Sequence, residues 1–199
     1  MSETVTLRQL SGMPDQPAPL SQTALIIVDA QNTYRSGPLE LNGVEAALDE
    51  CARLLARARA LAIPVIHIQH DAGPGSPYDI RSDIGAIAHK VAPRDGEPIV
   101  VKHYPNAFVG TELDARLKAL GVTRVVIAGF MTHMCINSTA RGAFSLGYQV
   151  SVPAAATATR ALPAPDGSVI DASTVQRVAL AALADLFAVV VADNAAIPD

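Results

Sequence analysis

Arg124-Val125-Val126-Ile127-Ala128-Gly129-Phe130, then residues 133–146, then Gly147 and Tyr148-Gln149-Val150-Ser151-Val152, is the stretch whose reading decides the fold. The first run is continuously apolar behind its opening arginine, the pattern of a strand buried on both faces. Residues 133–146 read as a helix closed by Gly147, and a second strand begins at once. Strand, helix and strand at this spacing make a βαβ unit, which joins parallel strands.

The same alternation extends outward in both directions. Thr23–Asp29 is a buried-strand run ending in an acid. Val44, Ala47, Leu48, Cys51, Leu54, Leu55, Ala58 and Leu61 follow helical spacing. Pro64–His70 reads as a strand, Asp71–Pro98 as a Gly-, Pro- and Asp-rich loop, and Ile99–Lys102 as a short strand. Thr111–Leu120 reads as a helix with Thr111 as N-cap, Asp114 three residues on and Gly121 past its end. Asp171–Leu186 carries an apolar stripe of Val175, Val178, Ala179, Ala182, Leu183 and Leu186, and Phe187–Val191 is the last strand. The expectation is one α/β domain over residues 1–199, a parallel sheet between helices, with residues 1–20 as a Pro-rich lead-in. Residues 160–170, with Pro163, Pro165 and Gly167, are either a plain surface connection or a rim loop.

Composition agrees and narrows the partners. The 199 residues are 50% hydrophobic and 17% charged, with aromatics at 4% and no Trp, which suits buried strands with helices packed on them. A net charge of −4 with no cluster of Lys or Arg argues against nucleic acid. No apolar stretch approaches the roughly 20 residues that span a bilayer, and the first 20 residues lack the pattern of a signal peptide. The expectation is a cytoplasmic protein that binds neither membrane nor nucleic acid. Two cysteines, Cys51 and Cys135, are too few for a disulfide framework.

Open α/β sheets bind ligands outside the carboxyl ends of their strands. Asp29 closes the first strand, Lys102 closes the third, and Cys135 lies a few residues beyond the fourth. Each alone has a plain reading: a turn-forming Asp, a Lys reaching solvent, a Cys packed as a small hydrophobe. Cys51 takes that last reading, because it falls on an apolar helical stripe. Cys135 is placed in the first turn of a helix, where the macrodipole lowers a thiol pKa and favours thiolate. Three residues of complementary chemistry on one rim favour the functional reading.

Three ordered stretches carry a resemblance. They are Ile27–Tyr34 (IVDAQNTY), Lys102–Leu113 (KHYPNAFVGTEL) and Ile127–Ile136 (IAGFMTHMCI), continued by Thr139, Ala140, Gly147 and Tyr148. Over roughly Thr23–Asn194 the chain resembles the isochorismatase-like cysteine hydrolases. The resemblance implies a Rossmann-like three-layer α/β/α fold with a six-stranded, mainly parallel sheet. It implies a triad in which Asp29 is the general base, Lys102 holds Asp29 and favours the charged forms, and Cys135 is the nucleophile. It also implies a cis peptide between Phe130 and Met131, an oxyanion hole from the N–H groups of Met131 and Cys135, and homo-oligomers, dimeric or larger.

Cysteine at position 135 points to acyl-enzyme chemistry on a small amide, ureide or carbamoyl compound. Two other readings stay open: ether or ester hydrolysis of an isochorismate-like molecule, and a non-catalytic assembly or binding subunit. Gln31, Tyr34, Phe108, Phe130 and His133 flank the three residues and are candidate substrate contacts; the apolar ones read equally as core, and His133 equally as a donor at the helix start. No metal is expected. His67-Ile68-Gln69-His70-Asp71 lacks the Asp-x-His spacing of metal-binding members, and alternation puts His67 and His70 on opposite faces. No cofactor is expected either, because no Gly-rich phosphate loop follows a strand. Pro153–Thr157 stands where the family usually has an acidic Asp-Ala-x-Ala segment, which leaves the triad intact but weakens any transfer of substrate preference.

Overall fold

A computed structural model describes residues 4–199. The strands are β1 (Ala24–Val28), β2 (Val65–His70), β3 (Ile99–Lys102), β4 (Arg124–Phe130), β5 (Gln149–Pro153), β6 (Thr157–Ala158), β7 (Leu162–Pro163), β8 (Val169–Ile170) and β9 (Val189–Val191). The helices are α1 (Leu7–Leu10), α2 (Val44–Ala60), α3 (Leu113–Ala119), α4 (Asn137–Ser145) and α5 (Ala172–Ala184). The main sheet runs β3-β2-β1-β4-β5-β9 with every adjacent pair parallel. These are the six expected strands; β6 adds a seventh, pairing with the end of β4 through Gly129 and Phe130.

Two apolar layers sandwich the sheet. Leu25 and Ile27 face the α2 side, where they meet Leu48, Cys51, Leu54 and Leu55. Ala24, Ile26 and Val28 face the other side, with Ile68, Val100, Leu113, Leu117, Ile136 and Ala140. The central strands therefore need apolar residues at every position, and all five residues of β1 are buried. This is a three-layer α/β/α architecture.

The order of strands locates the crevice. From β1 the chain winds outward through β2 and β3, then returns to place β4 on the other flank of β1 and continues to β5 and β9. The connections after β1 and β4 diverge, which opens the sheet edge between their carboxyl ends. Asp29 follows β1 there, and Cys135 follows β4.

One local expectation changes, and two open ones take a definite form. The N-cap of α3 is Glu112 rather than Thr111; the Thr111 hydroxyl donates to the Ala107 carbonyl at 2.6 Å, and Asp114 receives the Tyr148 hydroxyl at 2.8 Å. Residues 160–170 form a small exposed hairpin of β7 and β8. The lead-in is docked: Arg8 is buried and donates to the carbonyls of Pro14 and Leu186. Among the described residues no helix is long and apolar enough to cross a membrane.

Candidate active site

Asp29 reaches the site through its backbone. Strict alternation along β1 would send its side chain toward α2, since Val28 faces the opposite layer. A left-handed φ of 47° at Asp29 breaks that alternation, a conformation that aspartate tolerates better than most residues. Lys102 comes from two strands away. Its side chain shares the face of Val100 and crosses the end of β2 to the end of β1.

The result is a closed ionic cluster. Lys102 Nζ lies 2.7 Å from Asp29 Oδ2, and both side chains are completely buried. It also donates to Cys135 Sγ at 3.3 Å and meets His70 Nδ1 at 3.2 Å. Apart from this ion pair, neither Asp29 oxygen has a hydrogen-bond partner among the described residues. Cys135 is 6% exposed, whereas the side chains of the other two are sealed.

The surroundings of the thiol oppose the lowered pKa that a helix N-terminus suggests. Cys135 sits in one turn of π-helix, Thr132–Ile136, ahead of α4; the Ile136 N–H donates to the Met131 carbonyl five residues back at 3.2 Å. Burial, and secondarily the Asp29 carboxylate, push its pKa up to about 12, against a partial pull from Lys102. Burial also raises the Asp29 carboxyl, opposed by the Lys102 ammonium. A raised carboxyl beside a raised thiol makes a base placed to take the thiol proton as the sulfur attacks.

The peptide between Phe130 and Met131 is cis. The Met131 N–H has no partner among the described residues, while its carbonyl receives Met134 and Ile136. That leaves a backbone donor free beside Cys135.

The other expected contacts divide. His133 is on the rim, its Nδ1 2.6 Å from the Thr159 hydroxyl, and burial together with Arg160 lowers its pKa. Tyr34 and Phe130 are fully buried, packed edge to face with ring centroids 5.8 Å apart, and stand behind the site as packing. Gln31 is also fully buried: its amide donates to the carbonyls of His70 and Gly85 and its oxygen accepts the His70 N–H, so it braces backbone instead of facing a ligand. Phe108 stacks on Tyr148 and lines a surface groove with Val109, Arg141 and Ser145, apart from the ionic cluster.

Two residues escaped the sequence reading. His70 touches Lys102, and Arg160 stands beside His133 just past β6. The register pairing His70 with Lys102, and the pairing of β6 with β4, would have exposed both, but neither pairing is written in periodicity. Of the histidines, His67 is turned inward onto Glu97 at 3.0 Å, and among the described residues no three His, Cys, Asp or Glu side chains converge as a metal site.

Fold and cluster together define a hydrolase of the three-layer α/β class. The chain belongs to the isochorismatase family: the model of the isochorismatase domain matches residues 23–195. A crystal structure of an isochorismatase from Pseudomonas putida superposes with a TM-score of 0.94 at 38% identity, covering 98% of this chain and all of that one. The secreted isochorismatase effector of Verticillium dahliae is 32% identical over 95% of this chain and 97% of its own. The ureidoacrylate amidohydrolase of Stutzerimonas stutzeri is 31% identical over 68% of this chain and 71% of its own. A secreted relative means that family membership does not assign a compartment.

Proposed function

We propose that this hydrolase cleaves the C–N bond of a small amide, ureide or carbamoyl compound through a thioester on Cys135. The observation that carries the reading is the single buried ammonium of Lys102 bridging a carboxylate and a thiol, with Cys135 the one member of the three that is not wholly sealed. Asp29 takes the thiol proton while Sγ attacks the carbonyl. The N–H groups of Met131 and Cys135 receive the developing oxyanion, each such donor being worth about 3 kcal/mol. Asp29 then delivers the proton to the departing amine, the C–N bond breaks, and the thioester remains. Asp29 next removes a proton from water, which releases the acid and restores the thiol. Lys102 holds the carboxylate against the sulfur throughout. A relative that is an amidohydrolase of a ureide supports the bond type.

The rim supports a substrate that carries an anionic group. Arg160 is half-buried, its Nε is out of solvent with no acceptor, and no carboxylate pairs with it among the described residues. His133, two residues before Cys135 in the chain, bonds to Thr159 next to Arg160 and feels the Arg160 charge.

The test is ammonia release from a panel of small amides, ureides and carbamoyl compounds, comparing wild type with Cys135→Ala. Release that disappears in the variant supports the reading and names the substrate class. Turnover that survives the substitution overturns it in favour of ether or ester chemistry. An inert thiol with no turnover overturns it in favour of a binding role.

A further inference from the structure

A buried ammonium has three N–H donors and pays heavily for any left unpaired. Lys102 Nζ has three acceptors around it: Asp29 Oδ2 at 2.7 Å, Cys135 Sγ at 3.3 Å and His70 Nδ1 at 3.2 Å. The first two belong to the reaction. The third is a ring nitrogen on the last residue of β2, in register with Lys102 across the sheet.

His70 is itself held from several directions. The Gln31 amide clamps its backbone, accepting the His70 N–H at 2.9 Å and donating to the His70 carbonyl at 3.0 Å. Tyr78 packs edge-on against its ring at 4.9 Å, and Tyr34 donates to the Tyr78 hydroxyl at 3.3 Å. Asp71 and His103 are the other titratable groups near the ring, and burial followed by Lys102 lowers its pKa to about 4. The imidazole is therefore neutral in ordinary conditions. A contact between an ammonium and Nδ1 requires the ring proton on Nε2.

We propose that His70 is a positioning residue, whose unprotonated Nδ1 accepts the third Nζ proton of Lys102 and fixes the ammonium midway between Asp29 and Cys135. Without that acceptor, the ammonium swings toward Asp29, the stronger partner. The carboxylate becomes a weaker base and the sulfur loses a donor. The chemical step suffers while substrate binding does not. Gln31 acts one step further out, by fixing the His70 backbone. This inference rests on the cysteine-hydrolase reading of the site, but the contact can be tested apart from turnover.

Two measurements decide it. Nitrogen-15 NMR of the His70 ring, assigned by its loss in His70→Asn, is expected to show the Nε2–H tautomer across neutral pH. Its Nδ1 signal is expected to move in Lys102→Met. A proton on Nδ1, or a ring indifferent to Lys102→Met, overturns the proposal even if the enzyme has no known substrate. In turnover and thiol alkylation, His70→Phe keeps the packing on Tyr78 and removes the acceptor; kcat is expected to fall about 10- to 100-fold with KM little changed. His70→Asn returns an acceptor near the Nδ1 position and is expected to recover most of that loss. Equal losses in both variants, or a loss confined to KM, would reduce His70 to packing. Failure of the nucleophile reading would instead appear as a Cys135 that is inert in wild type.

Discussion

The Cβ of any residue other than glycine at position 129 would lie 2.0 Å from the carbonyl oxygen of Val28. Gly129 also has φ +116°, a region closed to ordinary side chains. β4 thus meets β1 backbone to backbone one residue before the cis peptide, where the chain turns toward Cys135. Strain and overpacking each cost about 1–3 kcal/mol, so Gly129→Ala is expected to destabilise the fold by about 3 kcal/mol or more. Urea unfolding monitored by circular dichroism measures this. A loss below 1 kcal/mol would mean that β1 and β4 separate easily, and with them Asp29 and Cys135.

Cys51 and Cys135 should behave as different reagents. Cys51 is wholly buried in α2, donates to the Ala156 carbonyl at 3.3 Å, and burial pushes its pKa up to about 12. Cys135 has the same raised pKa but a base beside it, and it is 6% exposed where Cys51 is at 0%. Iodoacetamide on the native protein is expected to add one label, read by intact mass, and none to Cys135→Ala. Turnover in that variant is expected to fall at least about a thousandfold with unchanged unfolding. Two labels in the native protein would contradict the burial of Cys51.

The pH profile follows from Asp29. Its carboxyl is raised above the ordinary 3.8 by burial, and the basic form is the active one. Activity is therefore lost as pH falls through a pKa higher than that of a free carboxylate. The acid limb of kcat/KM, which reports the free enzyme, is expected above 3.8. With the Cys135 thiol raised to about 12, no ultraviolet thiolate band is expected in the resting enzyme at neutral pH. An acid limb at the ordinary value together with a visible thiolate would make the cysteine self-sufficient and leave Asp29 without its task.

What the sequence makes legible here is what burial writes into it. β1 and β4 lie between two layers, so their runs are apolar throughout and easily seen. α2 shows its stripe because a single face is covered. Asp29 and Lys102 stand at strand ends and Cys135 in the turn that follows one, where the topology rule for parallel sheets already draws attention. Gln31, His70 and Arg160 were beyond reach because their roles depend on side-chain reach and strand register. Gln31 flanks Asp29 in sequence yet points into backbone, and His70 meets Lys102 only because β2 and β3 align in one particular register. The expected lowering of the Cys135 pKa is outweighed for a different reason: a helix dipole is a weak influence beside burial and a neighbouring carboxylate.

Arg160 gives a specificity test. Its guanidinium Nε is buried without an acceptor among the described residues, and the charge is close enough to His133 to lower that ring's pKa. Arg160→Gln is expected to raise KM about 10-fold or more for carboxylate-bearing amides and to leave neutral amides nearly unchanged. Steady-state kinetics on a matched acid and methyl-ester pair separates the two. Equal effects on both members of the pair would assign Arg160 to rim stability.

The network at the opposite end of the sheet sets acid stability. Arg59 donates to both oxygens of Glu97 at 2.7 and 2.8 Å, and His67 Nε2 meets the same carboxylate at 3.0 Å. These partners, Arg59 foremost, lower the Glu97 pKa from 4.5 to about 2. A carboxylate with a depressed folded-state pKa contributes stability that is complete above its unfolded value. That contribution is lost as pH falls from about 4.5 toward 2. Burial lowers the His67 pKa as well, so its contribution also disappears on acidification, beginning below 6.5. The two losses have the same sign. Glu97→Gln is expected to cost about 3 kcal/mol at neutral pH and to flatten the stability curve through that acid window, read by urea midpoints across the range. A variant whose curve runs parallel to wild type would show that Arg59 and His67 find other partners once the charge is gone. Activity at neutral pH is expected to hold, because Val65 and Pro98, which bracket this network, lie at the amino ends of β2 and β3, away from Cys135.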